Sequence, residues 1–317
     1  MVQFGRTGLD ITTVGLGTWA IGGGGWEFAW GPQDDERSAQ TIRRAHEREI
    51  SWIDTAPAYG TGHSEEVVGR AVGGLSPRPR VFTKVSLQWG ADRRITHSLK
   101  AASIRAEVEA SRRRLRTEAI DLVQVHWPEP DSDLEEGWRA LAELKDRGLV
   151  RHIGVSNFNV SQMERAAAIA PVETLQPPYS LVYPDVEKEI LPYARTHGIG
   201  VIVYSPMGCG LLTGTMTAER VARMPADDWR KHDPEFHEPR LSRHQALARV
   251  LAEIGRRHGG RSAAEVAIAW TLANPAVTAA IVGGRSPEQV DGFAGAMTLR
   301  LTNEDLAEIA AFRSQHP

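Results

Sequence analysis

The stretch Ile50-Ser-Trp-Ile-Asp54-Thr-Ala-Pro-Ala-Tyr59-Gly60 places an acid and a phenol directly after a short apolar run. Residues Ser51–Asp54 favour a β-strand, and the proline and glycine that follow end it. Asp54 and Tyr59 are therefore predicted to lie on the connection from a strand to a helix. In parallel α/β folds, functional groups collect at such strand ends, so we expect the site there.

Two later strands end with residues that assist a tyrosine in proton transfer. A phenol is a weak acid at neutral pH because its pKa is about 10. Lys84 ends the run Val81–Lys84, and His126 follows a second apolar run. A lysine ammonium beside the phenol lowers the phenol's pKa, a carboxylate such as Asp54 keeps the lysine charged, and a histidine orients a carbonyl oxygen. Each residue taken singly also suits an ordinary structural role, but together the four predict a proton-donating cluster.

The order of these motifs resembles the aldo-keto reductase family. Asp54 and Tyr59 in D-T-A-P-A-Y-G are followed by Lys84, His126 and the segment Gly154-Val-Ser-Asn-Phe158. The resemblance runs from Phe4-Gly-Arg-Thr-Gly-Leu9 to Ile281-Val-Gly-Gly-Arg-Ser-Pro-Glu-Gln289. It implies NADPH-dependent reduction of an aldehyde or ketone to an alcohol, with Tyr59 as proton donor. Lys84 and Asp54 would tune that proton, and His126 would position the carbonyl.

Composition bounds the size and the partners. The chain has 317 residues and is 41% hydrophobic, enough for a substantial core, and we expect one domain over residues 1–317. Its 37 basic and 40 acidic residues are spread along the sequence, with a formal charge of −3. This distribution has no basic stripe for nucleic acid and no polybasic patch for a membrane, so a small-molecule carbonyl or sugar substrate is the expected partner.

Cysteine usage and targeting signals indicate a cytoplasmic protein without a metal. Cys209 is the single cysteine, so no internal disulfide is possible, and no cysteine and histidine cluster has metal-ligand spacing. The N-terminus lacks a basic segment followed by an apolar one, and no apolar run approaches the ~20 residues of a membrane helix. No heptad pattern indicates an oligomeric state.

The alternation of strands and helices predicts the fold. Eight strands with intervening helices and no compositional break favour a (β/α)8 TIM barrel over an open doubly wound sheet. Residues 4–11 predict an N-terminal hairpin below the barrel, and Asn303–Phe312 predicts an outer C-terminal helix. The predicted strands are Val14–Trp19, Ser51–Asp54, Val81–Lys84, Ile120–Trp127, Arg151–Val155, Thr174–Gln176, Val201–Tyr204 and Thr278–Val282.

Local signals add helix starts and one loop. Ser132–Glu135 and Ser262–Glu265 match the capping box, and Thr302 is a further N-cap candidate. The polar segment Thr215–Pro239 predicts a loop over the barrel mouth. Gly22–Gly25 lacks the spacing of a phosphate loop and is interpreted as a surface loop. The predicted helices with clear bounds are Ser64–Val72, Ala101–Leu115, Leu134–Arg147, Arg243–His258 and Ser262–Asn274.

The resemblance also implies a nicotinamide cofactor, because no side chain can donate a hydride. Ser156, Asn157 and Gln176 would hold its carboxamide, with Tyr204 stacked on the ring and Trp19 nearby. The pyrophosphate would lie on Ser205, Pro206, Met207 and Gly208. The segment after the last strand would contribute Gly283, Arg285, Ser286 and Gln289, with Ser286 as N-cap and Pro287 as the first helical residue.

Arg285 favours NADP over NAD, because a guanidinium matches a 2′-phosphate in a bidentate way. Three positions depart from many relatives: Gly283, Gln289 and Phe293 stand where a lysine, an arginine and an asparagine are common. The preference for NADP therefore depends on Arg285.

Several alternatives stay open at this stage. The same residues could oxidise a sugar or polyol, and the chain could be a non-catalytic nicotinamide-nucleotide sensor. A barrel isomerase is disfavoured because the sequence has no metal cluster. Trp19 and Trp127 flank the cluster and are predicted to wall an apolar substrate pocket.

Overall fold

The computed structural model describes residues 1–316. Within these residues, eight parallel strands form one closed barrel, which confirms the predicted (β/α)8 architecture. The barrel strands are β1 (Val14–Gly17), β2 (Trp52–Asp54), β3 (Arg80–Val85), β4 (Ile120–Val125), β5 (Val150–Ser156), β6 (Thr174–Gln176), β7 (Gly200–Val203) and β8 (Ala279–Gly283).

The ladder closes between β8 and β1, where Ala280 is opposite Val14 and Gly283 is opposite Gly17. The other strands pair in chain order. All eight therefore end on the same rim, and the residues that follow them converge there.

Helices cover the outside of the barrel. Apolar residues of the strands and of the surrounding helices form one large buried cluster between the two layers. The helices are α1 (Asp35–Glu47), α2 (His63–Val72), α3 (Ala101–Leu115), α4 (Leu134–Asp146), α5 (Val160–Ala167), α6 (Ile190–His197), α7 (Ala218–Ala222), α8 (Arg240–Arg257), α9 (Ala263–Leu272), α10 (Pro287–Ala294) and α11 (Asn303–Gln315). Within the described residues, none of them is long and apolar enough to cross a membrane.

The N-terminal hairpin closes the bottom of the barrel, as predicted. Its strands Val2–Gln3 and Asp10–Ile11 are antiparallel. Phe4 stacks on Phe82, with ring centroids 5.9 Å apart, and Phe82 stacks on Trp52 at 5.2 Å. This layer requires a glycine on β1, because a Cβ at Gly15 would lie 2.2 Å from the Trp52 ring.

Two capping predictions are confirmed and one is wrong. Ser262 caps α9 and Thr302 caps α11, each with a reciprocal side-chain bond from the third helical residue. Ser132 instead lies inside a short 3-10 turn, and Asp133 is the residue before α4. The turn places the serine one residue too early to reach the free amides of α4.

Two segments at the barrel mouth differ from the sequence expectation. A second antiparallel hairpin, Leu87–Trp89 with Ile95–His97, follows β3 and was not predicted, because its strands have only three residues each. The segment Thr215–Pro239 covers the mouth as expected, but it is not simply a loop. It contains α7 and two 3-10 turns, Trp229–His232 and Pro234–Phe236.

Candidate active site

Lys84 is the centre of the polar cluster at the rim. Its ammonium donates to Asp54 Oδ1 at 2.6 Å, to the Thr55 carbonyl at 3.0 Å and to Tyr59 Oη at 3.3 Å. Lys84 is fully buried and Asp54 is 2% exposed. The parallel pairing of β2 with β3 brings these side chains together, because Asp54 ends one strand and Lys84 lies near the end of its neighbour.

Burial dominates the ionisation of this cluster. Loss of solvent raises the pKa of Asp54 and lowers that of Lys84, although their mutual attraction acts in the opposite sense. Burial and then the Asp54 charge raise the pKa of Tyr59 well above its usual value. The expectation of a lowered phenol pKa is therefore wrong. Burial and the Asp54 charge outweigh the ammonium, and Tyr59 is a protonated phenol at neutral pH.

His126 lies beside Tyr59 at the end of β4. The two rings meet edge to face, with centroids 6.0 Å apart. Burial, followed by the electrostatic effects of the neighbouring Lys84 and His97, lowers the pKa of His126 well below its usual value, so the imidazole is neutral. Its Nδ1 atom is buried and has no hydrogen-bond partner among residues 1–316.

Asn157 connects His126 to Tyr204. Its amide nitrogen donates to the His126 carbonyl at 2.9 Å and to Ser156 Oγ at 3.1 Å, and its Oδ1 accepts from Tyr204 Oη at 2.9 Å. Ser156 Oγ donates to the Gln176 carbonyl at 2.7 Å. The predicted carboxamide-binding residues are thus brought together. The Asn157 amide hydrogens and the Ser156 hydroxyl hydrogen are already used within the protein.

Gln176 is the member of this group with a free acceptor. Its amide nitrogen donates to Asp54 Oδ2 at 2.9 Å and to Gln124 Oε1 at 2.8 Å. Its Oε1 atom has no hydrogen-bond partner among the described residues. The atom is not fully enclosed, so a bound molecule can reach it. Gln176 is therefore able to accept a hydrogen bond from a bound molecule.

Aromatic rings wall the mouth above Tyr59. Trp19 stacks on Tyr59 at 6.2 Å between centroids, and Trp26 lies 6.4 Å from the same ring. Trp229 stacks on the far side of Trp19 at 5.7 Å, and the two planes differ by 5°. Trp30 meets both Trp19 and Trp229 edge to face. Trp19 thus occupies the predicted position, next to Tyr59.

Trp127 does not join these rings. Its side chain is 38% exposed at the rim, while its backbone exchanges hydrogen bonds with the Ser86 hydroxyl. The structure thus places Trp127 at the outer edge of the mouth, and not among the rings around Tyr59 as predicted.

The aromatic wall carries unpaired donors and one charged contact. The indole N–H groups of Trp30 and Trp229 are buried and have no acceptor among residues 1–316. The Arg230 guanidinium lies 4.1 Å from the centroid of the Trp30 ring and is held in place by Asp228 at 2.6 Å.

The predicted pyrophosphate residues form a tight bend after β7. Ser205 and Gly208 both have positive φ, 55° and 56°, and Met207 is the residue before the 3-10 turn Gly208–Thr213. A Cβ at Gly208 would lie 2.8 Å from Val182, so this position requires a glycine. Pro206 and Met207 lie between the two strained residues, and Ser205 Oγ lies 3.3 Å from Cys209 Sγ.

Arg285 clamps the loop that follows β1. Its guanidinium donates to the Gln33 side chain at 2.8 Å, to the Trp30 carbonyl at 3.0 Å and to the Pro32 carbonyl. Three of its five N–H groups are used in this way, and two remain. Burial lowers the pKa of Arg285, and the charge of Arg230 acts in the same direction. Both guanidinium groups contact Trp30, Arg285 at its carbonyl and Arg230 over its ring.

The other predicted residues after β8 surround Arg285. Ser286 precedes α10 and Pro287 is its first residue, as predicted, although the serine side chain makes no capping bond. Gln289 accepts from the Arg285 backbone amide at 2.8 Å, so its side chain orients the turn. Gly283 faces open space, since a Cβ there would have a single neighbour, at 4.0 Å.

Three residues near the site escaped the sequence reasoning: Trp26, Trp30 and Gln124. Both tryptophans follow the Gly22–Gly25 run, and an accumulation of indoles in a loop after a barrel strand was the available signal. Gln124 was visible as a polar residue within the apolar strand Ile120–Val125.

Known proteins resemble the chain over almost its whole length. A family model described as the aldo/keto reductase family matches residues 13–314. The chain is 40% identical to aldo-keto reductase YhdN of Bacillus subtilis, over 96% of this chain and 90% of that protein. It is 33% identical to the NADH-specific methylglyoxal reductase of Escherichia coli, over 96% and 95% of the two chains.

A solved structure gives the same result. The glycerol dehydrogenase AKR11B4 from Gluconobacter oxydans superimposes with a TM-score of 0.88 at 38% identity, over 97% of this chain and 93% of that one. With the barrel and the cluster of Asp54, Tyr59, Lys84 and His126 in place, the chain belongs to the aldo/keto reductase family of NAD(P)H-dependent oxidoreductases.

Proposed function

We propose that the protein reduces an aldehyde or ketone to an alcohol with NADPH, and that Tyr59 donates the proton. One observation carries the proposal: a single buried ammonium, Lys84, contacts both the Asp54 carboxylate at 2.6 Å and the Tyr59 hydroxyl at 3.3 Å. Tyr59 in turn lies against the aromatic rings of Trp19 and Trp26.

The raised pKa of Tyr59 keeps the proton on the phenol until a carbonyl oxygen needs it. The phenolate that forms on transfer lies beside the Lys84 ammonium, which stabilises the negative charge. Asp54 holds Lys84 in place. The neutral imidazole of His126 donates from Nε2 to the same carbonyl oxygen and so orients it toward Tyr59.

The residues of the rim suit a nicotinamide cofactor, which supplies the hydride when bound. Gln176 Oε1 is a free acceptor for a carboxamide N–H group, and the Tyr204 ring is held by its bond to Asn157. In the bend Ser205–Gly208, the Gly208 amide donates to the Ser205 carbonyl at 2.9 Å and Pro206 has no N–H, so the Ser205 and Met207 amides would be the backbone donors to a pyrophosphate.

The preference for NADPH is supported by the charge around Arg285. Arg285 donates to the Trp30 carbonyl and Arg230 lies over the Trp30 ring, while Asp228 pairs with Arg230. Two positive charges thus stand against one negative charge. The clamp on the loop carbonyls keeps the Arg285 guanidinium rigid and leaves two N–H groups for a 2′-phosphate.

Oxidation of a polyol is the second candidate, because the chain is similar to a glycerol dehydrogenase. Asp54, Tyr59, Lys84 and His126 would also catalyse this reverse reaction.

The test is to mix the purified protein with each reduced cofactor and a panel of neutral aldehydes and ketones, while nicotinamide absorbance is followed. A matching panel of polyols with each oxidised cofactor covers the reverse reaction. Consumption of NADPH by the wild type and its loss in Tyr59→Phe support the proposal. Faster turnover with polyols than with carbonyls at neutral pH would favour the second candidate, and no turnover with either panel would contradict both.

A further inference from the structure

A hydrogen-bonded row of buried polar side chains extends from the proposed catalytic cluster into the barrel. Asp54, Gln124 and Gln176 lie on β2, β4 and β6, and each is at most 2% exposed. Barrel interiors are filled in layers by side chains from alternate strands, and these three residues come from alternate strands. Polar residues in such a layer are costly unless all their hydrogen bonds are made.

Two acceptors at the end of the row farthest from Asp54 fix the orientation of the Gln124 amide. The Gln124 nitrogen donates to Thr174 Oγ1 at 3.1 Å and to the Val155 carbonyl at 3.4 Å. The carbonyl can only accept, so the nitrogen must face it. Gln124 Oε1 therefore faces the other way, toward Gln176.

A glycine on the intervening strand makes this contact possible. Gly154 on β5 pairs with Gln124 on one side and with Thr174 on the other. A Cβ at Gly154 would lie 1.9 Å from Thr174 Oγ1. The bond between β4 and β6 thus passes over a position that only glycine can occupy.

Gln124 in turn orients Gln176. The Gln176 nitrogen donates to Gln124 Oε1 at 2.8 Å and to Asp54 Oδ2 at 2.9 Å. A reversed amide would place its oxygen against two acceptors, one of them a carboxylate. Gln176 Oε1 is consequently the atom that is left without a partner at the rim.

We propose that Gln124, anchored by Thr174, is a positioning residue that presents Gln176 Oε1 as a hydrogen-bond acceptor to the carboxamide N–H of the nicotinamide. This inference rests on the proposed function, because it takes the ligand to be a nicotinamide. It adds that the cofactor carboxamide, Gln176 and Asp54 form one continuous hydrogen-bond network. The donor-to-acceptor direction of this network is set by the acceptors on Val155 and Thr174.

The test compares two cofactors that differ in one group. The 3-acetylpyridine analogue carries a methyl group where the nicotinamide carboxamide carries NH2, so it cannot donate to Gln176. Dissociation constants of both reduced dinucleotides are measured by quenching of tryptophan fluorescence. The variants are Gln124→Met, Thr174→Val and, as a matched control from the lower layer of the same strand, Leu122→Met.

We expect the wild type to bind the natural cofactor more tightly than the analogue. In Gln124→Met the dissociation constant of the natural cofactor should rise about threefold to tenfold, since one oriented hydrogen bond is weakened. The constant of the analogue should not change. Thr174→Val should act in the same direction to a smaller extent, and it carries the test if Gln124→Met does not fold. Leu122→Met should alter neither constant.

Equal losses for the two dinucleotides, or no loss in either variant, would overturn the positioning role while the proposed function stands. Failure of the wild type to bind any nicotinamide dinucleotide would instead overturn the proposed function itself.

Discussion

The ammonium nitrogen of Lys84 lies 3.3 Å from the hydroxyl oxygen of Tyr59. The two side chains come from neighbouring parts of the rim, where Lys84 is fully buried and Tyr59 is partly buried. This contact couples the acidity of the phenol to a buried cation.

Tyr59→Phe should remove most turnover and leave the fold and cofactor affinity nearly unchanged. The phenol's proton is lost, and general acid catalysis is worth about 10²–10⁴-fold. The ring remains in its stack with Trp19. Steady-state rates and cofactor titration check this, and wild-type rates in the variant would contradict Tyr59 as the donor.

Lys84→Met should reduce turnover by about 10²–10⁴-fold and also destabilise the protein, because Asp54 becomes an unpaired buried charge. The double variant Lys84→Met with Asp54→Asn separates the two effects. It should regain thermal stability without regaining turnover. If turnover returned with stability, Lys84 would be a structural residue only.

The pH profile provides a second check on Lys84. Burial lowers its pKa, so the wild-type rate should fall on the alkaline side as the ammonium loses its proton. Lys84→Met should lack this alkaline limb. An unchanged profile would show that another group causes it.

Arg285→Ala should raise the dissociation constant of NADPH by about tenfold to a hundredfold, because only NADPH has the extra phosphate. The dissociation constant of NADH should rise only slightly, since the loop carbonyls of Trp30 and Pro32 lose their hydrogen bonds to Arg285. Titration of each cofactor by tryptophan fluorescence at low and high salt measures both effects, and high salt should narrow the gap. Parallel weakening of the two cofactors would show that the clamp is the sole role of Arg285.

Glu107 should make stability depend on pH near neutrality. Burial raises its pKa to about 7, while its carboxylate accepts from the Ser86 amide at the base of the mouth hairpin and from Ser103. The nearby charge of Glu65 acts in the same direction as burial. Because the folded state holds this proton more tightly, the stabilisation is complete below pH 4.5 and is lost as the pH rises through 7.

Thermal unfolding at pH 5 and pH 8 tests this expectation. Relative to Glu107→Gln, the wild type should lose up to about 3 kcal/mol between the two pH values, on the order of 5 °C in Tm. Glu109→Gln changes an exposed carboxylate on the same helix and should show no such difference. A constant gap between wild type and Glu107→Gln would contradict the raised pKa.

The sequence by itself determined the fold class and the four residues of the cluster. Alternating apolar runs and helical faces are local patterns, and the ends of parallel strands must meet on one rim, so Asp54, Lys84 and His126 could be placed together without coordinates. Two helix starts were equally local, because Ser262 and Thr302 cap residues only three positions away.

Only the tertiary structure decided what surrounds these residues. Trp229 reaches Trp19 from a segment more than two hundred residues away, and Arg285 reaches carbonyls of the loop after β1. The pKa of Tyr59 is raised because the packed barrel removes water from around the phenol and brings the Asp54 charge near it. Contacts between distant segments and the loss of solvent depend on how the whole chain packs, and no local pattern of residues contains that information.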